Sequence, residues 1–229
     1  MSKLTEIAKK IPVLPTLYRV LRDKYAYYQL KSKGTEQVVT QIHSGNGWGG
    51  KESVSGAGSD VYQTRIITQE LPVLFSDFGI STMLDIPCGD FHWMKNVDLS
   101  KLDYTGADIV DGLSESNRLQ YSRDGLDFRK LNLIEDKLPK VDLVFCRDCL
   151  VHFSFEDVVK ALDNICNSQS EYLLTTTFVG RKDNHDIATG QWRALNLEVA
   201  PLLLPQPLRI ITEGCTERSE EHTSELQSQ

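Results

Sequence analysis

The stretch of sequence that decides the fold is a short apolar run ending in a turn, Met83-Leu84-Asp85-Ile86-Pro87-Cys88-Gly89-Asp90. Its start has the composition of a buried strand, and a short helix is predicted directly after the turn, over 92–97. Ligands of open α/β sheets bind beyond the carboxyl ends of the strands, so this turn is a candidate binding site. Gly89 has no Cβ to hold a nucleotide away from the backbone, and Pro87 fixes the dihedral φ.

Predicted helices and strands alternate along the chain around this turn. The strands that follow are predicted over 104–110, 127–133, 141–147, 172–178 and 208–212, and the helices over 64–78, 113–121 and from Ser154 onward. Ser154-x-x-Asp157 has the pattern of a capping box at a helix start. This alternation predicts a doubly wound, Rossmann-like α/β sheet with right-handed crossovers.

The second strand ends in Gly106-Ala107-Asp108, 23 residues after Asp85. An acid at that place accepts hydrogen bonds from both ribose hydroxyls in dinucleotide sites. Because adjacent parallel strands end at the same edge of a sheet, Asp85 and Asp108 together predict a nucleoside site.

Composition limits the class of protein. The chain has 229 residues, 40% hydrophobic and 25% charged, which suits one α/β domain and excludes collagen-like, coiled-coil and wholly disordered proteins. A net charge of −7 disfavours a nucleic-acid partner. The sequence has no apolar run near the ~20 residues of a membrane span, and its odd number of cysteines, 5, favours the cytoplasm.

The first part of the chain predicts an arm and a loop. Residues 1–42 predict an N-terminal helical arm with an apolar stripe and neighbouring basic residues, which either packs on the domain edge or docks weakly on an anionic membrane surface or a partner. Residues 43–60 hold 6 glycines and 4 serines around Trp48. We interpret them as a loop that covers a ligand, the alternative being a flexible linker.

These motifs carry a family resemblance. Leu84–Asp90 resembles motif I of the class I S-adenosylmethionine-dependent methyltransferases, with Pro in place of the first glycine, and Gly106–Ile109 is similar to their ribose-binding second strand. Val141–Phe153 resembles their fourth strand and the loop after it. Trp48–Ser59, Pro87–Phe91 and Arg147–His152 together are similar to motifs of a bacterial branch of that family. The resemblance covers residues 43–217, the predicted methyltransferase domain.

The resemblance implies S-adenosylmethionine as cofactor. The residues implied to contact it are Asp85, Pro87 and Gly89 at its amino-acid end, Asp108 at its ribose, Ile109, Asn132 and Leu133 at its adenine, and Trp48, Ser53, Ser55 and Gly56 in the covering loop. The implied activity is methyl transfer to a small-molecule or glycan acceptor, with a hydroxyl as the expected group. The missing Gly-x-Gly-x-x-Gly turn disfavours the alternative of a nicotinamide-dependent oxidoreductase. A non-catalytic protein that binds an adenosyl cofactor is a third hypothesis.

The resemblance puts Arg147 and Asp148 beside the transferred methyl group. His152 or Asp148 is a candidate general base, although His152 equally suits a structural role. The candidate acceptor-site residues after the fifth strand are Asn184, Trp192, Arg193 and Asn196. No metal is expected, because Cys146-x-x-Cys149 lacks a second ligand pair and favours buried structural thiols.

The last residues, 218–229, resemble the translated sequence of a common sequencing adapter, so we expect a non-native tail there. Class I methyltransferases end their sheet with a seventh, antiparallel strand between the fifth and the sixth. Residues 208–212 fit the sixth strand, and no later residue fits a seventh. The expectation is therefore a truncated sheet that lacks this strand.

Overall fold

The computed structural model describes residues 27–214 and 223–228. The strands are β1 Thr82–Asp85, β2 Asp103–Asp108, β3 Leu126–Lys130, β4 Leu143–Cys146, β5 Tyr172–Thr177, β6 Arg209–Thr212 and β7 Thr223–Ser228. The α-helices with bounds inside the described part are α1 Thr35–Ser44, α2 Arg65–Phe78, α3 Asp111–Tyr121 and α4 Phe155–Asn167. The predicted α/β fold is confirmed. Residues 1–26 of the predicted N-terminal arm lie outside the described residues.

The strands form one sheet in the order β3-β2-β1-β4-β5-β7-β6. β1 to β5 pair in parallel, and β7 pairs antiparallel with β5 and β6. The chain reverses its direction of winding between β1 and β4, because β2 and β3 lie on one side of β1 and the later strands on the other. This switch point opens a crevice at the carboxyl ends of β1 and β4.

Apolar side chains cover both faces of the sheet. One core cluster includes Met83 of β1 and Leu74 of α2, and the other includes Leu84 of β1 and Val158 of α4. Successive strand residues point to opposite faces, so neighbours in β1 enter different clusters. Fully apolar strands buried on both faces are typical of parallel sheets, which explains why β4 was predictable from its composition alone.

The helix boundaries follow local signals. The predicted N-cap is confirmed, because the Ser154 Oγ accepts a hydrogen bond from the Asp157 N–H at 3.2 Å where α4 begins. The reciprocal bond of a capping box is replaced: the Ser154 N–H donates to the Thr189 Oγ1 rather than to the Asp157 side chain. α2 continues through Pro72 and ends at Phe78; Gly79, which follows, has a left-handed φ of 66° and caps the helix. The helix predicted over 92–97 is only a short 3₁₀ turn, Met94–Asn96.

The expectation that the sheet lacks its seventh strand is wrong. β7 lies between β5 and β6 and pairs with β5 from Tyr172↔Ser228 to Thr177↔Thr223. Its side chains gave no strand signal, because Leu226 is the one apolar residue in Thr-Ser-Glu-Leu-Gln-Ser. Main-chain hydrogen bonds to two neighbouring strands, with Leu226 buried in the core, position it instead. That residues 218–229 are non-native stays a prediction.

Replacing Glu225 in β7 with Val should stabilise the protein. Glu225 is fully buried, its Oε2 has no hydrogen-bond partner among the described residues, and burial raises its pKa above the ordinary value of 4.5. The folded state therefore holds this proton more tightly than the unfolded chain, so stability falls as pH rises above that value. Val removes the buried carboxylate and favours a strand.

Thermal unfolding of Glu225→Val checks this. The midpoint should rise by several degrees at neutral pH, and the gain should shrink under acid conditions, where the wild-type carboxyl is protonated. Ser228→Val, at the exposed end of the same strand, is the control and should change the midpoint little. A lower midpoint for Glu225→Val at neutral pH would show that the carboxylate is stabilising.

Candidate functional site

A cavity of about 320 Å³ opens at the carboxyl edge of the sheet. Its walls are the turn after β1 (85–90), the end of β2 (108–110), residues 131–133, the turn after β4 (147–149) and part of the Gly/Ser loop (55–59). The volume lies in the range of about 300–1,000 Å³ that small-molecule and cofactor pockets have.

The structure brings most predicted site residues together here. The predicted cofactor-contacting residues that line the cavity are Trp48, Ser55, Gly56, Asp85, Pro87, Gly89, Asp108, Ile109, Asn132 and Leu133, and the three predicted catalytic residues also line it, Arg147, Asp148 and His152. Ser53 is buried and is not among the residues that line the cavity. Residues separated by a hundred positions in sequence therefore share one site.

Asp108 joins the ends of two strands. Its Oδ2 accepts a hydrogen bond from the Gly89 N–H at 3.1 Å, and its Oδ1 accepts one from the Val110 N–H at 2.8 Å. Burial raises the pKa of Asp108 to about 6, although these two N–H groups act in the opposite direction. The carboxylate thus fixes the turn after β1 against β2 and still lines the cavity.

Asp85 is a second buried carboxyl in the same wall. The Tyr104 hydroxyl donates a hydrogen bond to its Oδ2 at 2.6 Å. Burial raises the pKa of Asp85 to about 8; Tyr104 opposes the shift, Asp108 adds to it, and Arg147 opposes it. Tyr104 was not predicted as a site residue, because its role depends on the pairing of β1 with β2.

Asp90 holds the Gly/Ser loop on this turn. Its carboxylate accepts hydrogen bonds from the Ser53 Oγ at 2.8 Å and the Val54 N–H at 3.0 Å, and its own N–H donates to the Ser55 Oγ at 3.2 Å. Gly89 has a φ of 55°, and a Cβ there would lie 2.0 Å from the Ser55 Oγ. The loop can dock this closely because residue 89 is glycine. Asp90 belongs to the motif Leu84–Asp90, but the sequence predicts no role for its side chain.

His152 lies where the loop meets the turn after β4. Its ring is 6.4 Å from the Trp48 ring, edge to face. The His152 Nδ1 is 3.0 Å from the Gln191 carbonyl oxygen. Because a carbonyl only accepts, this contact requires the proton on Nδ1, and Nε2 is then the basic nitrogen of the neutral ring.

Arg147 and Asp148 extend from the end of β4. The Arg147 Nε and Nη2 donate to the Glu213 Oε2 at 3.0 and 2.8 Å, and its Nη1 lies 3.3 Å from the Asp148 Oδ2. The Asp148 N–H donates to the Thr176 Oγ1 at 2.8 Å. This hydrogen bond helps to hold Asp148 at its left-handed φ of 54°. Sequence reasoning missed Glu213, which is 66 residues from Arg147.

The four predicted acceptor-site residues are not among those that line the cavity. The side chains of Asn184 and Asn196 donate to main-chain carbonyls of their own loop at 2.8 Å. Arg193 is 1% exposed and donates to the Phe153 carbonyl, whereas Trp192 is 39% exposed. Three of these side chains brace the segment after β5; an acceptor role for the four stays a prediction.

Cys146 and Cys149 are buried free thiols. A hydrogen bond with Cys146 and then burial raise the pKa of Cys149 well above its ordinary value, so the thiol stays protonated. Within residues 27–214 and 223–228, no group of three or more His, Cys, Asp and Glu side chains is arranged to hold a metal ion. In the same residues, no helix has the length and apolarity to cross a membrane.

The buried acids should make stability depend on pH. The pKa of Asp85 is raised from 3.8 to about 8, so the folded protein retains a proton that the unfolded chain releases. The free energy of unfolding should therefore fall as pH rises from about 4 to about 8. Asp85→Asn should flatten much of this slope in denaturant titrations, whereas Asp163→Asn, an exposed control on α4, should not. Equal slopes in wild type and Asp85→Asn would contradict the assignment.

Removing the Asp90 carboxylate should release the loop. In Asp90→Ala, the Val54 amide loses its acceptor, and its hydrogen exchange should become about tenfold faster or more, since hydrogen bonds to charged groups contribute about 1.5–3 kcal/mol. The matched control is Glu52→Ala, which removes the acceptor of the Val61 N–H instead. It should speed exchange at Val61 and leave Val54 unchanged. Unaltered exchange at Val54 in Asp90→Ala would refute the docking role.

No protein-family model matches the sequence, and a search of curated proteins finds no match. Solved structures do match. The chain is similar to the Burkholderia thailandensis 1,6-didemethyltoxoflavin-N1-methyltransferase with S-adenosylhomocysteine bound, at a TM-score of 0.60 and 15% identity over 90% of this chain and 89% of that one.

Two further structures agree. The Bradyrhizobium japonicum N-methyltransferase NodS, with S-adenosylhomocysteine, has a TM-score of 0.60 and 15% identity over 82% of this chain and 97% of that one. The Synechocystis magnesium protoporphyrin IX methyltransferase, with S-adenosylmethionine, has a TM-score of 0.56 and 14% identity over 86% of this chain and 98% of that one. The chain therefore has the Rossmann-like fold of class I S-adenosylmethionine-dependent methyltransferases.

Proposed function

We propose that this chain transfers the methyl group of S-adenosylmethionine to a hydroxyl group of a small molecule or glycan. The observation that carries the proposal is the cavity at the carboxyl edge, which buried Asp108 and the turn at Gly89 line side by side. The three similar structures hold S-adenosylmethionine or S-adenosylhomocysteine in the same fold. Fold and cavity therefore favour the same class of ligand.

The wall between β1 and β2 suits the amino-acid and ribose parts of this cofactor. Asp85 provides a buried carboxyl for the ammonium group, and the backbone at Pro87 and Gly89 allows close approach. Each carboxylate oxygen of Asp108 accepts a hydrogen bond from a backbone N–H group, which fixes its orientation. Each oxygen has a further lone pair for a ribose hydroxyl. A positively charged ligand also offsets the cost of burying two carboxyls.

The adenine would lie between Ile109 and Leu133, both in the cavity wall. The Asn132 side chain beside them is held in place, since its Oδ1 accepts from the Ile134 N–H at 3.0 Å and its Nδ2 donates to Glu135 at 3.1 Å. A fixed amide beside two apolar side chains can form hydrogen bonds with the edge of a purine that lies between them.

The cofactor, when bound, supplies a methyl group activated by its sulfonium. His152 would act as general base, its Nε2 taking the proton that the acceptor hydroxyl loses when it is methylated. Arg147 and Asp148 line the same cavity as His152. Trp48, together with Ser55 and the Asp90-docked loop, excludes water and aligns the reactants, which an in-line displacement requires.

The remaining expectations follow from composition. The net charge of −7 favours a small-molecule or glycan acceptor over nucleic acid. We place the enzyme in the cytoplasm on the grounds of its cysteine content. Docking of the N-terminal arm on a membrane surface or partner remains a separate hypothesis.

Calorimetry with S-adenosylhomocysteine tests the cofactor. The wild type should bind it, and Asp108→Asn should bind about tenfold or more weakly, because hydrogen bonds to charged groups contribute about 1.5–3 kcal/mol. Asp163→Asn, at an exposed residue of α4 that is not among those lining the cavity, is the matched control and should bind as the wild type does. A folded wild type that binds NADH but not S-adenosylhomocysteine would overturn the proposal in favour of an oxidoreductase.

Turnover tests the acceptor and the base. Methyl-labelled S-adenosylmethionine should label members of a panel of hydroxyl-bearing sugars and phenols, and His152→Gln should slow this about 10²-fold or more. Its affinity for S-adenosylhomocysteine should stay close to the wild-type value. Labelling confined to amine acceptors would refute the proposal that the acceptor group is a hydroxyl. Undiminished turnover in His152→Gln would show that His152 is not the general base.

A further inference from the structure

A segment after β5 binds both the backbone and the ring of His152. The Gly190 N–H donates to the His152 carbonyl oxygen at 2.8 Å, and the next N–H but two, that of Arg193, donates to the Val151 carbonyl oxygen at 3.0 Å. The Gln191 carbonyl oxygen lies 3.0 Å from the His152 Nδ1. The candidate general base is therefore held by the main chain of this segment.

Gln191 itself folds the segment into a turn over residues 188–191. Its N–H donates to the Ala188 carbonyl oxygen at 3.0 Å, and its side-chain Oε1 accepts from the Ala188 N–H at 3.0 Å. Ala188 is 3% exposed, so its N–H would lose its acceptor in a place with little access to water if the Gln191 amide were removed. The Gln191 side chain thus fixes the turn that presents the Gln191 carbonyl.

Helix α1 packs closely on the same turn. Gly190 has a left-handed φ of 99°, and a Cβ there would overlap with the Val38 Cγ1 of α1 and lie 3.1 Å from the Ile42 Cδ1. Val38 is fully buried in this contact region. The turn therefore contacts both α1 and His152, which leaves it little freedom to move.

The Gln191 carbonyl determines which nitrogen of His152 is basic. A carbonyl oxygen only accepts, so this contact places the proton of the neutral ring on Nδ1. Neutral histidine in water prefers the proton on Nε2, and the contact reverses that preference. Nε2 then has the lone pair that a general base needs. A ring released from the turn would carry its proton on the nitrogen that has to accept one.

We propose that Gln191 is a positioning residue that keeps His152 in the tautomer in which Nε2 can take a proton. Gln191 is not among the residues that line the cavity, and it acts on the reaction through His152. The inference rests on the proposed function, in which His152 is the general base. The tautomer is a property of the protein alone, and it can be measured without cofactor or acceptor.

Long-range proton–nitrogen NMR correlations of the imidazole rings test the proposal. The chain has 5 histidines, and the signals of His152 are those that disappear in His152→Gln. At alkaline pH, where the rings are neutral, wild-type His152 should carry its proton on Nδ1. In Gln191→Leu, the ratio of the two tautomers should shift about three- to tenfold toward the proton on Nε2, which is the effect expected from the loss of one hydrogen bond.

Gln191→Glu is the conservative variant, because it keeps an oxygen that can accept from the Ala188 N–H, and it should keep the wild-type tautomer. Gln120→Leu, at an exposed residue of α3, is the matched control and should not change the ratio. Thermal unfolding checks that each variant folds; if Gln191→Leu does not, Gln191→Ala serves the same comparison.

Turnover with the panel of hydroxyl acceptors connects the tautomer to the reaction. Gln191→Leu should lower kcat about three- to tenfold, whereas its affinity for S-adenosylhomocysteine should equal that of the wild type. A purely structural role of Gln191 would leave the tautomer of His152 unchanged.

A wild-type ring with its proton on Nε2, or an unchanged tautomer ratio in folded Gln191→Leu, would overturn the role of Gln191 while leaving the proposed function intact. A shifted ratio with undiminished turnover in both Gln191→Leu and His152→Gln would overturn the role of His152 as base, and the inference would fail with it.

Discussion

The site depends on one constraint: two carboxyls, Asp85 and Asp108, are held out of water where parallel strands end. A buried charge is costly unless it is protonated, hydrogen-bonded or paired. The fold meets this cost with the Tyr104 hydroxyl at Asp85 and with backbone N–H groups at Asp108. The desolvation cost that these hydrogen bonds do not offset is the physical reason for proposing a cationic ligand that also presents hydroxyls to this cavity.

Long-range contacts then complete the site from distant parts of the chain. Asp90 docks the Gly/Ser loop over the turn after β1, so that Trp48 lies beside His152. Glu213 ties the end of β4 to β6 and, through Ser224, to β7. The antiparallel strand therefore does more than complete the sheet, because through Glu213 it also helps to hold Arg147 at the cavity wall.

The parts that sequence could predict are those whose cause is local. The run ending at Asp90 and the acid at Asp108 each lie within a few residues of a strand end, and the Ser154 cap lies next to its helix. The alternation of helices and strands can likewise be predicted from the residue pattern along the chain. These features predicted the sheet and most of the cavity wall.

The parts that sequence could not predict depend on tertiary structure. β7 is positioned by the open edges of two strands and buries one apolar residue, Leu226, so its side-chain pattern carries no signal. The contact of Ser53 with Asp90 spans 37 residues, and that of Arg147 with Glu213 spans 66. Polar pairs of this kind have no periodicity, because the fold alone determines which side chains meet.

A crystal structure of the chain with S-adenosylhomocysteine tests the central claim most directly. The account predicts the ribose hydroxyls on the Asp108 carboxylate, the adenine between Ile109 and Leu133, and the sulfur at the end lined by Arg147 and Asp148. A ligand bound elsewhere, or in the cavity with its ribose away from Asp108, would contradict the account.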